Sequence, residues 1–494
     1  MASTYDFPQD VHELLALSAP PPGGAFNILS SSDVERLADA VLTVLDKVGV
    51  ICQSREILKA LDDRGARVDY GSEKATFPRS LVQAFVEELY KEQQPLATTA
   101  RAFQAPPLPW TFHPLAVFYY DYAKRGKQPG NRESFITMTQ LGDVLHPEHG
   151  TGHCLILSEE PAAVEPLEAA LLLCEYAHKP RGVYVQDVRQ IPYLEEMEAI
   201  AGIEDKYWHW LANVSFATPL RLGKEIGDRF VYMVRSGRYP AQVYNFAVCG
   251  VNMPATAAGS IALASAEIVA LWLMARALNP RVSLNGGLVE MASADMRTGE
   301  ISYWAFDAVI RSLSACEFLR KWTGVAASAG GGEYNPSKVP GSYVALEKAY
   351  RAMTLAAFTG GHPTVGIGHL EAGLSLCPVQ LLLDRDISAA LRFLEPPVIN
   401  DEAIGLEAML AVGHGEAGTY LEAEHTLRHF RTALWQPQFL DRQGWSGMEA
   451  EERLLERAQA KVDDLLAQYQ KPEFDSDKLV RMRKVVDKAR KALL

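Results

Sequence analysis

The sequence lacks the features that define several large classes of protein. Its 494 residues include only six cysteines, which are widely scattered and form no CxxC pair, so no disulfide framework is predicted. Acidic residues outnumber basic ones, 61 to 48, and the net charge of −13 argues against nucleic acid or an anionic membrane as a main partner. The N-terminal MASTYDFPQDVHELL has acidic residues and no apolar core, so no signal peptide is predicted. We expect a cytoplasmic protein in a reducing compartment.

One long apolar run, AAGSIALASAEIVALWLMARAL at 257–278, has the length of a membrane span. It carries Glu267 and many small residues, and it is one of several helix-like segments that alternate with strand-like runs. These features predict a helix that is buried inside the protein, with no membrane as partner.

Three regions follow one another along the chain. An N-terminal arm and helical region are predicted over 1–110. The arm comes first, the first helix follows it with a capping box of Ser32 and Glu35, and the proline-rich QAPPLPW at 104–110 is the predicted linker to the next region. Strand-like runs then alternate with amphipathic helices over 111–397. After Pro396 the chain is again helical and charged, and 398–494 is predicted to pack on the central region, with long exposed helices that allow a homo-oligomer.

The alternation in the central region predicts an α/β fold with a parallel sheet. The predicted strands are GHCLILS, GVYVQ, WLANVSF, AQVYNFA, RVSLNGG, GVAASAG and TVGIGH, with AVFYYDY at 116–122 as an eighth. Eight such units favour a closed (β/α)8 TIM barrel over a doubly wound open sheet, because no GxGxxG follows the first strand.

Active sites of (β/α)8 barrels form at the C-terminal ends of the strands, and those ends are rich in aromatic rings and glycines here. The candidate ligand-binding residues are Gln186, Phe216, Tyr244, Phe246, Asn285, Gly330, Gly331, Glu333, Tyr334, His369 and Glu371. Aromatic faces suit a quaternary ammonium, which cannot be hydrogen-bonded, although rings at these positions also fill the top of a barrel core.

Two strand ends leave alternatives open. His369 and Glu371 in GIGHLEAG are spaced to point to one side, so they either contact a substrate or brace a loop as a hydrogen-bonded pair. The glycines Gly330 and Gly331 allow close approach of a ligand and are predicted to contact a cofactor, but Glu333 follows them and disfavours a phosphate.

The C-terminal HTLRHFRTALWQP places His425 and His429 four residues apart, as on one face of a helix. There is no HExxH, and nearby arginines disfavour a dication. This spacing favours a structural latch, and no metal site is predicted.

Four parts of the sequence are informative together: ADAVLTVLDKVGV followed by RGARVD, SKVPGSYVALEKAYRAM, DRDISAALRF and HTLRHFR. They resemble the trimethylamine methyltransferase family, in particular its branch without pyrrolysine that acts on quaternary amines such as glycine betaine. The sequence uses only standard residues, which favours betaines over trimethylamine.

The resemblance implies a (β/α)8 enzyme that passes a methyl group from an amine to Co(I) of a corrinoid. A separate corrinoid protein would present that cofactor, with none tightly bound here. We expect His369 to bind the substrate carboxylate and the rings of Tyr244, Phe246, Trp304 and Tyr334 to surround the ammonium. Glu333 and Glu371 are the predicted catalytic residues and would balance its charge. The alternatives are a zinc-dependent methyltransferase of the methanol or thiol type, a non-catalytic betaine-binding barrel, and a hydrolase or lyase barrel.

Overall fold

The fold is seen in a computed structural model. It describes residues 28–93, 112, 114–204, 208–211, 214–238, 240–284, 287–330, 334–359, 365–391, 393, 398–415, 418–440 and 447–494. The predicted N-terminal arm at 1–27, the linker at 104–110, and the candidate site residues Asn285, Gly331 and Glu333 lie outside these ranges.

The described part of the N-terminal region contains three helices and, contrary to the helical prediction, three short strands. The elements are α1 (Ser31–Lys47), β1 (Val50–Cys52), α2 (Arg55–Asp63), β2 (Arg67–Asp69), β3 (Lys74–Thr76) and α3 (Arg79–Gln93). Strands of three residues are too short to show an alternating pattern, which is why the sequence did not reveal them. The capping box of α1 is formed by Ser30 and Asp33, so the predicted Ser32–Glu35 box was wrong.

The central region alternates strands and helices, as predicted. Its strands are β4 (Phe118–Asp121), β5 (Gly126–Pro129), β6 (Val183–Val185), β7 (His209–Leu211), β8 (Val214–Ser215), β9 (Arg221–Leu222), β10 (Val243–Cys249), β11 (Leu288–Ala294), β12 (Ile301–Ser302), β13 (His369–Leu370) and β14 (Ser375–Leu376). Its helices are α4 (Arg132–Leu145), α5 (Glu165–Tyr176), α6 (Ile191–Ala201), α7 (Lys224–Ser236), α8 (Ala257–Leu278), α9 (Phe306–Thr323), α10 (Ser342–Thr359) and α11 (Pro378–Leu391).

These strands form small sheets within a mixed α/β fold. Their orders are β2-β3-β1-β9, β12-β11-β10-β8, β13-β14-β4-β5 and β6-β7. The pairs β14–β4, β6–β7, β8–β10 and β10–β11 are parallel, as the strand–helix alternation predicts. The backbone hydrogen bonds of the described segments do not close these sheets into one barrel.

Three predicted strands are reduced to isolated bridges. The segments 152–158, 281–287 and 324–330 each contain a parallel bridge, at Leu155, Leu284 and Ser328 respectively. After 281–287 the regular strand begins only at Leu288. Gly287 has φ +75, outside the extended region, so the strand starts once this residue has been passed.

The apolar helix α8 lies inside the protein. Within the described residues it is the one helix long and apolar enough to cross a membrane, and 83% of its most apolar window is buried. It packs against α1, α2, α7, α9 and β10. Its small residues therefore allow the neighbouring helices to pack closely against it in the core, and the helix is buried as predicted.

The C-terminal region is helical, with α12 (Asp401–Ile404), α13 (Leu406–Val412), α14 (Glu424–Ala433), α15 (Ala450–Gln468) and α16 (Ser476–Leu493). The helix α15 packs against α4 and α11, and α16 packs against α5 and α6. Buried Leu454, Val462, Met482 and Val486 supply their apolar contacts. The last two helices thus cover helices of the central region.

A buried ion pair joins α10 to α11. The Lys348 ammonium donates to the Asp384 carboxylate, and both side chains are fully buried. Asp384 also accepts from the backbone N–H of Gly368 and from the Gln380 amide, each at 2.7 Å. Burial raises the pKa of Asp384, against the opposing charge of Lys348. One carboxylate therefore fixes two helices and the segment before β13.

We expect Lys348→Met to lower the free energy of unfolding by about 3–5 kcal/mol, because it leaves a buried carboxylate without its cation. Urea denaturation measures the change. Adding Asp384→Asn should recover much of the loss, since the amide still accepts from Gly368. Lys59→Met removes a solvent-exposed pair with Asp63 and should leave the unfolding free energy nearly unchanged. Equal stability of Lys348→Met and the parent would contradict this role.

His209 in β7 is fully buried, and burial together with the charge of Arg238 lowers its pKa from 6.5 to about 3. The carboxylate of Glu198 lies 4.0 Å from its Nδ1 but is itself 3.5 Å from the Arg238 guanidinium. The charge of Glu198 is thus balanced, and the imidazole is neutral in the folded protein near neutral pH.

Acid should therefore destabilise the protein through His209. Below pH 6.5 the His209 imidazole is protonated in the unfolded chain, whereas in the folded protein it stays neutral down to about pH 3. The free energy of unfolding therefore decreases as the pH falls through that window. Between pH 7 and pH 5 the parent should lose about 2 kcal/mol more unfolding free energy than His209→Gln. Urea denaturation at both pH values tests this, with the exposed His414→Gln as control. Parallel pH profiles for parent and His209→Gln would refute it.

Candidate functional site

Four aromatic rings form a cluster beside β10 and β11. Tyr244 and Phe246 stack with centroids 6.0 Å apart, and Phe246 meets Tyr334 edge-on at 5.4 Å. Tyr303 completes the set, 6.3 Å from Phe246 and 5.8 Å from Tyr334. All four side chains are half-buried, so part of the cluster faces solvent. We call it the four-ring cluster.

The alternation of β10 places two of these rings on one face. Val243, Asn245 and Ala247 are buried, and the Asn245 amide donates to Glu267 of α8 at 2.6 Å. Because successive side chains of a strand point to opposite faces, Tyr244 and Phe246 lie on the face away from α8.

A buried carboxylate lies next to the four-ring cluster. Glu290 of β11 is the register partner of Phe246 and is fully buried. Its Oε1 accepts from the Arg351 guanidinium at 2.5 Å, and its Oε2 accepts from the backbone N–H of Gly330 at 2.5 Å. A Cβ at Gly330 would collide with this carboxylate, so the position requires glycine. Gly330 thus approaches a protein side chain closely, where the sequence predicted a cofactor contact.

The Arg351 side chain also binds two backbone carbonyl groups next to the four-ring cluster. Its guanidinium also donates to the carbonyl of Tyr303 at 2.8 Å and to that of Gly330 at 3.0 Å. Burial, and then the charge of Glu290, raises the pKa of the Tyr303 hydroxyl, which stays protonated at neutral pH. The site therefore combines neutral rings with an ion pair whose charges cancel.

The structure brings three predicted rings together and places the fourth elsewhere. Tyr244, Phe246 and Tyr334 belong to the cluster, whereas Trp304 is buried with the Arg351 guanidinium 5.3 Å from its ring centre. The adjacent Tyr303 occupies the position in the cluster that was predicted for Trp304.

His369 and Glu371 have separate partners. The imidazole Nε2 of buried His369 lies 2.7 Å from the carbonyl of Pro114 and donates to it. The carboxylate of Glu371 pairs with Lys127 at 2.8 Å and accepts from Ser375. Burial opposes ionisation of Glu371, but these partners lower its pKa overall. Both side chains thus hold protein groups around β13 and β14.

Two further predicted residues within the described ranges are not part of the four-ring cluster. Phe216 is buried after β8, and Gln186 is exposed after β6, where its backbone N–H donates to the side chain of Gln190. Their roles in binding remain predictions.

The C-terminal histidines lie on the exposed helix α14. Their rings are 4.6 Å apart, and Nε2 of His425 donates to the carbonyl of Glu402 at 3.1 Å. Over the part of the chain that the structure describes, no group of three or more His, Cys, Asp or Glu is arranged to hold a metal ion.

Sequence reasoning missed Tyr303, Glu290 and Arg351. Glu290 is the one charge in LVEMASA and Arg351 one of few in the helix AYRAMTLAAF, so each was a candidate for a paired buried charge. Their pairing across 61 residues could not be seen.

An α/β fold with an aromatic site suited to a cation is thus defined, and comparison with known proteins places the chain in a family. The model of the trimethylamine methyltransferase family matches residues 18–493. The chain therefore belongs to the trimethylamine methyltransferase family, as predicted, and it is an enzyme of the methyltransferase class.

Individual relatives are distant. The chain is 20% identical over 485 residues to trimethylamine methyltransferase MttB of Desulfitobacterium hafniense, covering 94% of each protein. It is 25% identical over 270 residues to glycine betaine methyltransferase of the same species, covering 53% of this chain and 54% of that protein. Trimethylamine methyltransferase MttB of Methanosarcina barkeri is 26% identical over 266 residues, 53% of this chain and 52% of its own length.

We expect Arg351→Met to cost about 3–5 kcal/mol of unfolding free energy, because Glu290 would remain buried without its cation. Arg351→Lys should retain only part of this free energy, since one ammonium cannot reach Glu290, Gly330 and Tyr303 together. Urea denaturation gives the energies, and near-ultraviolet circular dichroism reports the tyrosine environment. The double variant Glu290→Met/Arg351→Met should be more stable than Arg351→Met alone. A single variant as stable as the parent would show that the pair does not hold the site.

Proposed function

We propose that this enzyme transfers a methyl group from a quaternary amine that carries a carboxylate, a betaine such as glycine betaine, to a corrinoid carried by a separate protein. The observation that supports it most is the four-ring cluster beside the neutralised Glu290–Arg351 pair. Aromatic faces attract a quaternary ammonium through their negative quadrupoles, without a hydrogen bond. The similarity to a glycine betaine methyltransferase supports the same substrate class.

The chemistry of the donor agrees with the groups present. When the N–CH3 bond of a quaternary ammonium breaks, the bonding electrons stay on nitrogen and a neutral tertiary amine leaves, so no proton has to be supplied. Glu290 is already paired, and the pKa of Tyr303 is raised, so neither is poised as a proton donor or acceptor at neutral pH. The residues need only bind and orient the amine.

The half-buried rings also suit a methyl acceptor that arrives on another protein. Each ring keeps part of its surface open to solvent, so a methyl group held against the cluster can be approached from outside. The corrinoid of the partner protein supplies cobalt(I), a nucleophile for the methyl carbon. Tyr244, Phe246, Tyr303 and Tyr334 would hold the donor for that approach.

The architecture we propose is a (β/α)8 barrel. Parallel pairing or bridging links consecutive segments, from β14 to β4, from Ala116 to Leu155, from Thr151 to Pro180, from β6 to β7 and from β8 through β10 to β11 and Ser328. This succession of neighbours supports a barrel. Tyr244 and Phe246 then lie on β10 before its C-terminal end at Cys249, on the face away from α8, which would be the inner face of the barrel.

The test mixes the purified protein with chemically reduced cob(I)alamin and a panel of methylated amines. We expect methylated cobalamin and a demethylated amine to form in equal amounts with one betaine, both quantified by mass spectrometry. Betaine binding without methyl transfer, in the presence of any corrinoid acceptor, would favour a binding protein instead. Activity that disappears on chelation and returns with zinc would favour the zinc-dependent alternative.

In the same assay Phe246→Leu should lower kcat/KM at least tenfold, because it removes the ring that contacts three others. Phe246→Tyr keeps the aromatic face and should stay within a few fold of the parent. Phe474→Leu changes another half-buried phenylalanine, on the C-terminal side of the protein, and serves as the matched control. Equal losses for Phe246→Leu and Phe474→Leu would argue against ammonium binding by the cluster.

A further inference from the structure

Asn335 is a fully buried amide whose side chain has no hydrogen-bond partner among the residues that the structure describes. Neither its Oδ1 nor its Nδ2 is bonded to any part of the protein that the structure describes. Leaving a buried polar group unpaired costs about 1–3 kcal/mol, and native proteins retain few such groups without a reason. The two atoms of this carboxamide are therefore candidates for contacts with a ligand.

The position of Asn335 makes its missing partners informative. Glu290 is paired with Arg351 and Gly330, and the indole N–H of Trp304 is, like the Asn335 amide, buried without a partner among the described residues. Asn335 directly follows Tyr334, and consecutive Cα atoms are only about 3.8 Å apart. The amide is thus attached to the backbone next to the four-ring cluster.

The backbone of Asn335 is held firmly. Its carbonyl accepts from the N–H of Ala372 at 2.5 Å, and the carbonyl of Ser337 accepts from the N–H of Glu371 at 2.9 Å. Glu371 and Ala372 have φ of 52 and 56, a strained left-handed conformation that is retained where the surroundings impose it. The ion pair of Glu371 with Lys127 helps to impose it, so the predicted catalytic Glu371 acts here as a positioning residue.

We propose that Asn335 binds the carboxylate end of the substrate while the four-ring cluster holds its ammonium. This inference rests on the function proposed above. The Nδ2 hydrogens would donate to a carboxylate oxygen, and Oδ1 would face the polarised C–H groups next to the ammonium. The amide dipole then lies opposite to the dipole of the zwitterion.

A neutral donor suits a zwitterion whose two charges are close together. A lysine or arginine at this position would attract the carboxylate but repel the adjacent ammonium. An asparagine donates to the carboxylate with no such repulsion. Asn335 therefore selects betaines over quaternary amines that lack a carboxylate, and this selection is not assigned to it by the family resemblance.

The test is the binding of two ligands to the full-length protein and its variants, measured by calorimetry. Glycine betaine carries both charged groups, and tetramethylammonium carries only the cation. Asn335→Ala should weaken the binding of glycine betaine at least tenfold, as expected for a lost hydrogen bond to a charged group, and leave that of tetramethylammonium within about twofold. Phe246→Leu should weaken both.

The outcomes separate the two proposals. If Asn335→Ala weakens the binding of both ligands equally, or of neither, the proposed role of Asn335 is overturned. The effect of Phe246→Leu on binding still tests the cluster in that case. If the parent binds tetramethylammonium but not glycine betaine, Asn335 is again overturned and cation binding stands. If neither ligand binds the parent, the proposed function itself fails, and with it the inference on Asn335.

The stability of the free protein gives an independent readout. Because the Asn335 side chain has no partner in the described part of the chain, Asn335→Leu should leave the melting temperature unchanged or raise it. Asn245 is the matched control, since its buried amide donates to Glu267, and Asn245→Leu should lower the melting temperature. A large destabilisation by both Asn335→Leu and Asn335→Ala would show a structural amide and overturn the proposal.

Discussion

The ion pair of Glu290 and Arg351 is the interaction on which the arrangement of the site depends. Neither charge can be left alone in the core, so β11 and α10 must be placed where carboxylate and guanidinium meet. The same guanidinium binds the carbonyls of Gly330 and Tyr303, and Tyr303 is one of the four rings. A displacement of α10 would therefore break the ion pair, and it would at the same time release the loop at Gly330 and move the ring of Tyr303.

Two other buried carboxylates join elements in the same way. Glu267 of α8 accepts from Thr218, from the N–H of Leu220 and from Asn245 of β10, and burial raises its pKa. Asp384 joins α10, α11 and the segment before β13. Apolar packing tolerates small slips of a helix along a sheet, whereas a buried carboxylate that must meet two or three donors does not. These contacts thus set the positions at which helices lie on strands.

Much of the fold could be predicted from the sequence, because periodic apolar residues and caps are local signals. The helix predicted at 257–278 has these bounds in the structure. The strand around Leu288 was placed too early because RVSLNGG looks β-like, although a left-handed Gly287 ends that segment. Tyr244 and Phe246 were predicted as residues at a strand end, whereas β10 continues past them to Cys249. Tyr303 and Trp304 are adjacent, and no local signal shows which of them joins the cluster and which packs beneath Arg351.

The neutrality of the site follows from what methyl transfer from a cation requires. The positive charge on nitrogen disappears as the N–CH3 bond breaks, so a fixed negative charge beside the ammonium would stabilise the bound substrate more than the transition state. Glu290 would be such a charge if Arg351 did not neutralise it. Aromatic rings bind the cation through weaker forces, at a modest cost to the reaction when the charge is lost. The buried pair therefore organises the rings and also keeps their binding site electrically neutral.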